Sequence, residues 1–240
     1  MSEQNQTRRD ELAANLTQVQ GRVDQACSES GRSADEVTTI IVTKFFPLSD
    51  VHLLAGLGVT DVGENRHQEA VEKAAAGADL GLRWHFIGAL QSNKAAAVAA
   101  YADVVHSVDR AKLVTGLARG ALDRGRPLDC LIQVSLDPAQ AASGGARSGC
   151  GVAQLPDIAE RILSAEGLRL RGVMGVAPLG GDPAAAFAEL ASAAELVRGL
   201  SAEATWLSAG MSYDLEHAVK AGATHLRIGS AVLGPRPPVQ

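Results

Sequence analysis

Short apolar runs and stretches of helical spacing take turns along almost the whole of this chain. The first run, Thr38-Thr39-Ile40-Ile41-Val42, is β-branched throughout and reads as a buried strand over 38–43. Further strand candidates follow at 59–63, 84–88, 103–107, 129–135, 168–174, 204–208 and 224–228, making eight in all. Helical stretches at 49–57, 65–76, 91–100, 109–124, 153–165, 183–199 and 212–221 follow every strand but the last. Ahead of them, Leu12, Leu16, Val19, Val23 and Ala26 mark a long amphipathic helix over 8–30, with Gly31 to end it. Strand–helix alternation of this kind demands a parallel sheet.

The repeat is about 27 residues, near the roughly 30 of one βα unit in a barrel of about 250 residues. Eight units therefore predict an α/β fold of one domain, a closed (β/α)8 TIM barrel over 1–240. Residues 1–30 form its N-terminal helix and the Pro-rich 235–240 a tail. An open, doubly wound sheet would need a Gly-rich turn after its first strand, and Lys44-Phe45-Phe46-Pro47 stands there instead. The Gly/Ala/Ser segment 138–149 reads as a mobile loop within the barrel.

Composition removes several function classes. With 22 Lys+Arg against 27 Asp+Glu, the net charge of −5 offers no basic footprint for nucleic acid. No apolar run reaches the 18 or so residues of a membrane helix, and Met1 to Asp10 is too polar for a secretory signal. Cys27, Cys130 and Cys150 are odd in number and far apart, so they predict free thiols in a reducing, cytoplasmic compartment. Aromatic residues at 3% leave little to build a stacking platform for single strands or sugars.

In a barrel, chemistry gathers at the C-terminal ends of the strands. Lys44 follows the first strand, where desolvation lowers an amine's pKa and frees it to attack a carbonyl. A surface lysine snorkelling into water is the competing reading. After strands seven and eight come Ser208-Ala209-Gly210-Met211-Ser212 and Arg227-Ile228-Gly229-Ser230, placed as phosphate loops commonly are. Gly210 and Gly229 would let backbone N–H groups approach an anion, with Ser212 and Ser230 adding hydroxyls. Helix capping by Ser212, with Glu216 four residues on, is the alternative. Taken together, the two loops and Lys44 suit a phosphate-bearing aldehyde.

Several of these segments also carry a resemblance that covers nearly the whole chain. Val42-Thr43-Lys44, Gly63-Glu64-Asn65 with Gln68-Glu69, and Trp84-His85-Phe86-Ile87-Gly88 through Leu90-Gln91-Ser92-Asn93-Lys94 come first. Arg171-Gly172-Val173-Met174-Gly175, Leu207-Ser208 with Gly210-Met211-Ser212 and Asp214, and Arg227-Ile228-Gly229 with Gly234 follow in order. This series resembles the YggS/PROSC family of pyridoxal 5′-phosphate (PLP) homeostasis proteins, whose fold is the fold type III barrel of alanine racemases. The resemblance implies that Lys44 carries PLP as a Schiff base, and that Ser212, Gly229 and Ser230 hold the phosphate. It implies that Arg227 faces the pyridine nitrogen and that Asn65 and Met174 line the ring, with Ser208 and Gly210 completing the site. An arginine there cannot give up its proton, so the ring stays a weak electron sink. Met174 reads equally as core packing. The chain departs from the family at Ala89, usually histidine, at Ala209, often methionine, and at Arg147-Ser148-Gly149, usually Lys-x-Gly.

The implied function is a cytoplasmic, monomeric carrier that buffers PLP and delivers it to apo-enzymes, with little or no catalysis. An amino-acid racemase is the alternative, but it needs an acid/base on each face of the cofactor. Lys44 serves one face, and the other needs a Tyr, His or Cys at the mouth: Tyr101 falls in the helix before strand four, which leaves Cys150 or Tyr213. Racemases of this fold also close their mouth with a second β-domain and a partner subunit, and no such segment follows the barrel here. A cofactor-free Schiff-base aldolase would want a carboxylate relay that the first strand ends do not supply. His85 reads as a core or supporting histidine, and His52, His67, His106, His217 and His225 show no metal spacing. The group of Glu69, Glu72 and Lys73 reads as a solvated helix face.

Overall fold

The computed structural model describes residues 3–137 and 149–235. Arg147, Ser148, most of the 138–149 segment and most of the tail lie outside the described residues. Eight parallel strands close into a barrel in sequence order: β1 Thr38–Val42, β2 Asp61–Glu64, β3 Arg83–Phe86, β4 Val104–Val108, β5 Leu128–Val134, β6 Leu168–Gly175, β7 Trp206–Ser208 and β8 His225–Ile228. Closure pairs β1 with β8, Ile40 opposite Arg227 and Ile41 opposite Ile228. The helices are α1 Glu3–Glu29, α2 Leu48–Gly56, α3 His67–Ala76, α4 Ala95–Ala99, α5 Lys112–Asp123, α6 Leu155–Leu163, α7 Pro183–Leu200, α8 Leu215–Lys220 and α9 Ser230–Leu233.

The departures from the sequence expectation have local causes. Strand β2 starts at Asp61 because the Val59 N–H turns back to cap α2, bonding to the Leu54 carbonyl at 3.1 Å beside Gly58 at φ +90°. The 91–100 stretch opens as a 3-10 turn over Ser92–Lys94 before α4 begins. Helix α8 starts three residues later than expected, since Asp214 folds back to accept the Met211 N–H at 2.6 Å. The last strand is followed by a helix after all, the single turn α9.

Strand residues alternate between two cores, as the pleat requires. Ile41, Val105, Ile132, Val173, Leu207 and Leu226 face the helices in one large cluster. Val104, Leu131 and Met174 fill the barrel interior above Trp206. The Trp206 ring closes the N-terminal end, between the guanidinium carbons of Arg83 at 4.9 Å and Arg171 at 4.5 Å. Asp129 accepts from Arg83 at 2.5 Å there. The C-terminal end thus remains for the polar strand ends.

Candidate functional site

Lys44 lies in the turn that follows β1, half-buried at the barrel mouth. The turn is closed by the Phe46 N–H on the Thr43 carbonyl, and Phe45 takes φ +71°, the one positive φ of a non-glycine among the described residues. A bulky residue in that conformation costs about 1–2 kcal/mol, so something must hold it. Helix α3 does. Glu69 accepts the Phe45 N–H at 2.6 Å, and the Arg66 guanidinium lies 4.9 Å from the Phe45 ring centre.

Beneath the turn lies a buried ion network. Lys73 Nζ donates to the Thr43 carbonyl at 2.8 Å, to Glu64 Oε1 at 2.8 Å and to Glu69 Oε1 at 2.7 Å. Thr43 Oγ1 donates to the same Glu64 oxygen at 2.6 Å. Burial pushes the Glu64 carboxyl above its ordinary range, opposed by the Lys73 charge and by the Lys73 and Thr43 bonds. Lys73 is 7% exposed, which corrects its reading as part of a solvated helix face. Glutamates at 64 and 69 both face it, and ion-pairing is what makes its burial tolerable.

On β8, the neighbour of β1, Arg227 is 4% exposed. Its Nη1 donates to Ser208 Oγ at 2.7 Å and its Nη2 to the Gly175 carbonyl at 2.8 Å. Burial pushes the guanidinium down to about 10, with Asp214 acting in the opposite sense, so it remains charged at neutral pH. Among the described residues no carboxylate comes within ion-pair distance of it. A buried cation left with neutral acceptors fits a ligand that brings an acceptor atom of its own, as the pyridine nitrogen of PLP would.

The two candidate phosphate loops touch. Ser212 Oγ accepts the Ala231 N–H at 3.2 Å across the gap, and α8 has no side-chain cap. Ser212 therefore ties the β7 turn to the β8 turn, and the capping alternative falls away. Gly210, at φ +85°, has room only because it lacks a Cβ, which would overlap that of Ala218. A Cβ on Gly229 would lie 3.5 Å from the Val42 carbonyl, which places this loop beside the strand that leads to Lys44. Ser230 is exposed at the first turn of α9.

Helix α1 supports both loops from outside. Arg22 Nη1 donates to the Ser212 carbonyl at 2.9 Å while its other nitrogens clasp Glu216. Asn15 and Arg8 donate to the carbonyls of Val232 and Leu233 at 2.9 and 3.0 Å.

Asn65 follows β2, pressed against Gly88 so closely that a Cβ there would overlap the Asn65 carbonyl. It lines a cavity of about 430 Å³ with Arg66, His67, Ala89, Leu90 and Lys94. Met174 is buried against Val104 and Leu131, one strand over from Ser208 in register. A larger cavity, about 700 Å³, lies at the opposite end of the barrel under α1 and holds none of these residues.

Tyr101, Cys150 and Tyr213 are poorly suited to serve as a second acid/base. Tyr101 is packed among outer-layer residues with its hydroxyl pushed up by burial, and it stacks on His67 at 5.8 Å. Burial pushes the Cys150 thiol up to about 12. Tyr213 is 90% exposed.

Sequence reasoning missed Lys73, the reach of α1 to the loops, and a line of histidines inside the barrel. His85 Nδ1 lies 2.9 Å from His106 Nε2, and His85 Nε2 lies 2.8 Å from Asp61 Oδ1. His106 Nδ1 lies 3.0 Å from Ser208 Oγ. The available signal was period-two alternation, which puts His85 and His106 on the inward face of their strands.

Residues 32–237 match the family model of the alanine racemase N-terminal domain. The chain is 42% identical over 249 aligned positions to a pyridoxal phosphate homeostasis protein of Mycobacterium tuberculosis, covering 95% of this chain and 94% of that one. It is 35% identical to the protein of the same name from Escherichia coli K12, covering 94% and 97%. Among solved structures, PipY of Synechococcus elongatus PCC7942 with PLP bound is similar at 32% identity and a TM-score of 0.76, covering 93% of this chain and all of that one. Relatives of one name, matched nearly end to end, and a barrel that joins Lys44 to two small-residue loops agree: the chain belongs to the pyridoxal phosphate homeostasis protein family.

Proposed function

We propose that this protein binds PLP at the barrel mouth and acts as a cytoplasmic, monomeric carrier that buffers the cofactor and passes it to apo-enzymes, with little or no turnover. The observation that carries the reading is the buried Arg227–Ser208 pair, a cation held by neutral partners beside the Lys44 turn. When bound, the cofactor supplies an aldehyde for transfer and an electron-accepting ring.

The roles of the residues follow from their places. Lys44 would hold the cofactor covalently through its Nζ, the one lysine in the turn that follows β1. Arg227 would face the ring nitrogen with a donor that keeps its own proton, which would leave that nitrogen unprotonated. Gly210, Ser212, Gly229 and Ser230 offer backbone and hydroxyl donors to the phosphate. Asn65 and Met174 flank the ring, and Ser208 steadies Arg227. Burial holds the Tyr101 hydroxyl and the Cys150 thiol protonated and Tyr213 stands out in solvent, so among the described residues none of these three is set over a second face, which favours a carrier over a racemase.

The test is the visible absorbance of purified protein given PLP, wild type beside Lys44→Ala, before and after borohydride. The expected result is a yellow band in the wild type, absent in the variant and bleached on reduction. A wild type that takes up no added PLP overturns the reading. An amino-acid racemization assay on loaded protein should show no turnover.

A further inference from the structure

The histidine line joins the two ends of the barrel. Asp61 is the first residue of β2, at the N-terminal end, and lines the 700 Å³ groove beneath α1. From it, hydrogen bonds pass to His85 on β3, His106 on β4, Ser208 at the end of β7 and Arg227 on β8. His85, His106 and Ser208 are each at most 1% exposed.

The termini decide which way these bonds run. A guanidinium can only donate and a carboxylate can only accept. Arg227 therefore donates to Ser208 Oγ, and the serine hydroxyl is free to donate to His106 Nδ1. His106 then carries its proton on Nε2 and donates it to His85 Nδ1, and His85 donates Nε2–H to Asp61. Both imidazoles are neutral in this arrangement, each with one donor and one acceptor used.

Burial favours the same state. It pushes His85 down and His106 well down, and on His106 the Arg227 charge acts in the same sense, as a proton on His85 or His225 would. Burial alone would raise Asp61, but bonds from His85 and Thr60 outweigh it and hold the carboxyl below its ordinary range. His225 stands apart from the line, its Nδ1 engaged with Thr224 Oγ1 at 2.8 Å. Among the described residues no three His, Cys, Asp or Glu side chains are arranged to hold a metal.

We infer that Asp61, His85, His106 and Ser208 form a one-way hydrogen-bond relay that aims and polarises the Arg227 guanidinium, so that a carboxylate at the floor of the barrel sets the grip on the cofactor at its mouth. Hydrogen bonds in series polarise one another, and a low-dielectric interior preserves that effect. Among the described residues no carboxylate is within ion-pair distance of Arg227, so its aim is set by Ser208 and the Gly175 carbonyl, and Ser208's hydroxyl direction depends on which nitrogen of His106 is bare. These four are positioning residues. The inference rests on the reading that Arg227 faces the ring nitrogen.

Two measurements test it. The first is long-range ¹H–¹⁵N NMR of the imidazoles in wild-type protein without cofactor. His85 and His106 are each expected as the neutral Nε2–H form; a proton on His106 Nδ1 overturns the relay. The second is PLP titration followed by absorbance, in wild type, Asp61→Asn, Asp61→Glu and His106→Phe. Asp61→Asn keeps an acceptor but loses the charge that sets the direction. It and His106→Phe should weaken PLP binding about tenfold, the value of a hydrogen bond to a charged group, and shift the bound cofactor's absorption band, while Asp61→Glu restores both. A merely structural role would lower thermal stability and leave the band in place. Unchanged affinity and band in Asp61→Asn overturn the inference and leave the cofactor reading standing. A wild type that binds no PLP overturns both. If His106→Phe does not fold, the tautomer measurement and the Asp61 series decide alone.

Discussion

At the scale of single residues, the site depends on charges taken out of water. Lys73 neutralises Glu64, which is 1% exposed, and ties it to the Thr43 carbonyl just ahead of Lys44. Removing one member of a buried pair leaves the other unsolvated. Lys73→Met is therefore expected to cost about 3–5 kcal/mol of stability, measured by urea denaturation, and Lys73→Met combined with Glu64→Gln should recover most of it. Equal losses in the single and double variants would count against the network. Lys44 and Ser212 could be singled out in the sequence because each follows a strand, and Arg227 because it stands near the C-terminal end of β8, where barrels bear function. Lys73 could not. Four residues after Glu69 and one after Glu72 on the same helix, it looked solvated, and only the packing of α3 over β1 turns it inward.

At the scale of elements, α1 reaches the two loops by donors spaced along one face, Arg8, Asn15 and Arg22. Arg22 is partly exposed and its bond to Glu216 is screened, so its energetic worth is modest. Arg22→Ala should lower stability by about 1 kcal/mol. It should also speed loss of bound PLP during dialysis, because the Ser212 carbonyl loses its donor; Arg22→Lys should restore only part, lacking the fork. Retention of PLP at the wild-type rate in Arg22→Ala would show that α1 is only a cover. The α1 helix itself was plain from its apolar spacing, as were the strands, whose limits moved by at most two residues. The shift at β2 came from capping at Val59 and the later start of α8 from Asp214, each a group spent on a neighbouring turn.

At the scale of the whole molecule, the barrel interior buries three imidazoles, His85, His106 and His225, with all three pushed below the ordinary value of 6.5. Burial is the largest cause for each, and it takes His225 to about 3. The unfolded chain then binds protons that the native one refuses. Stability from His225 is whole above pH 6.5 and falls as pH drops toward 3, by about 1.4 kcal/mol per pH unit. Urea midpoints between pH 7 and 5 should drop steeply in wild type and less so in His225→Leu, by about 2 kcal/mol; parallel pH curves would refute this. The eightfold alternation by itself determined the barrel, its parallel order and the placing of Lys44 and the loops at one end, because strand and helix periods are local and repeat eight times. Only the tertiary structure decided that Asp61, His85, His106, Ser208 and Arg227 meet in one line. The stagger between strands sets which inward side chains share a layer, and no pattern within any one strand encodes it.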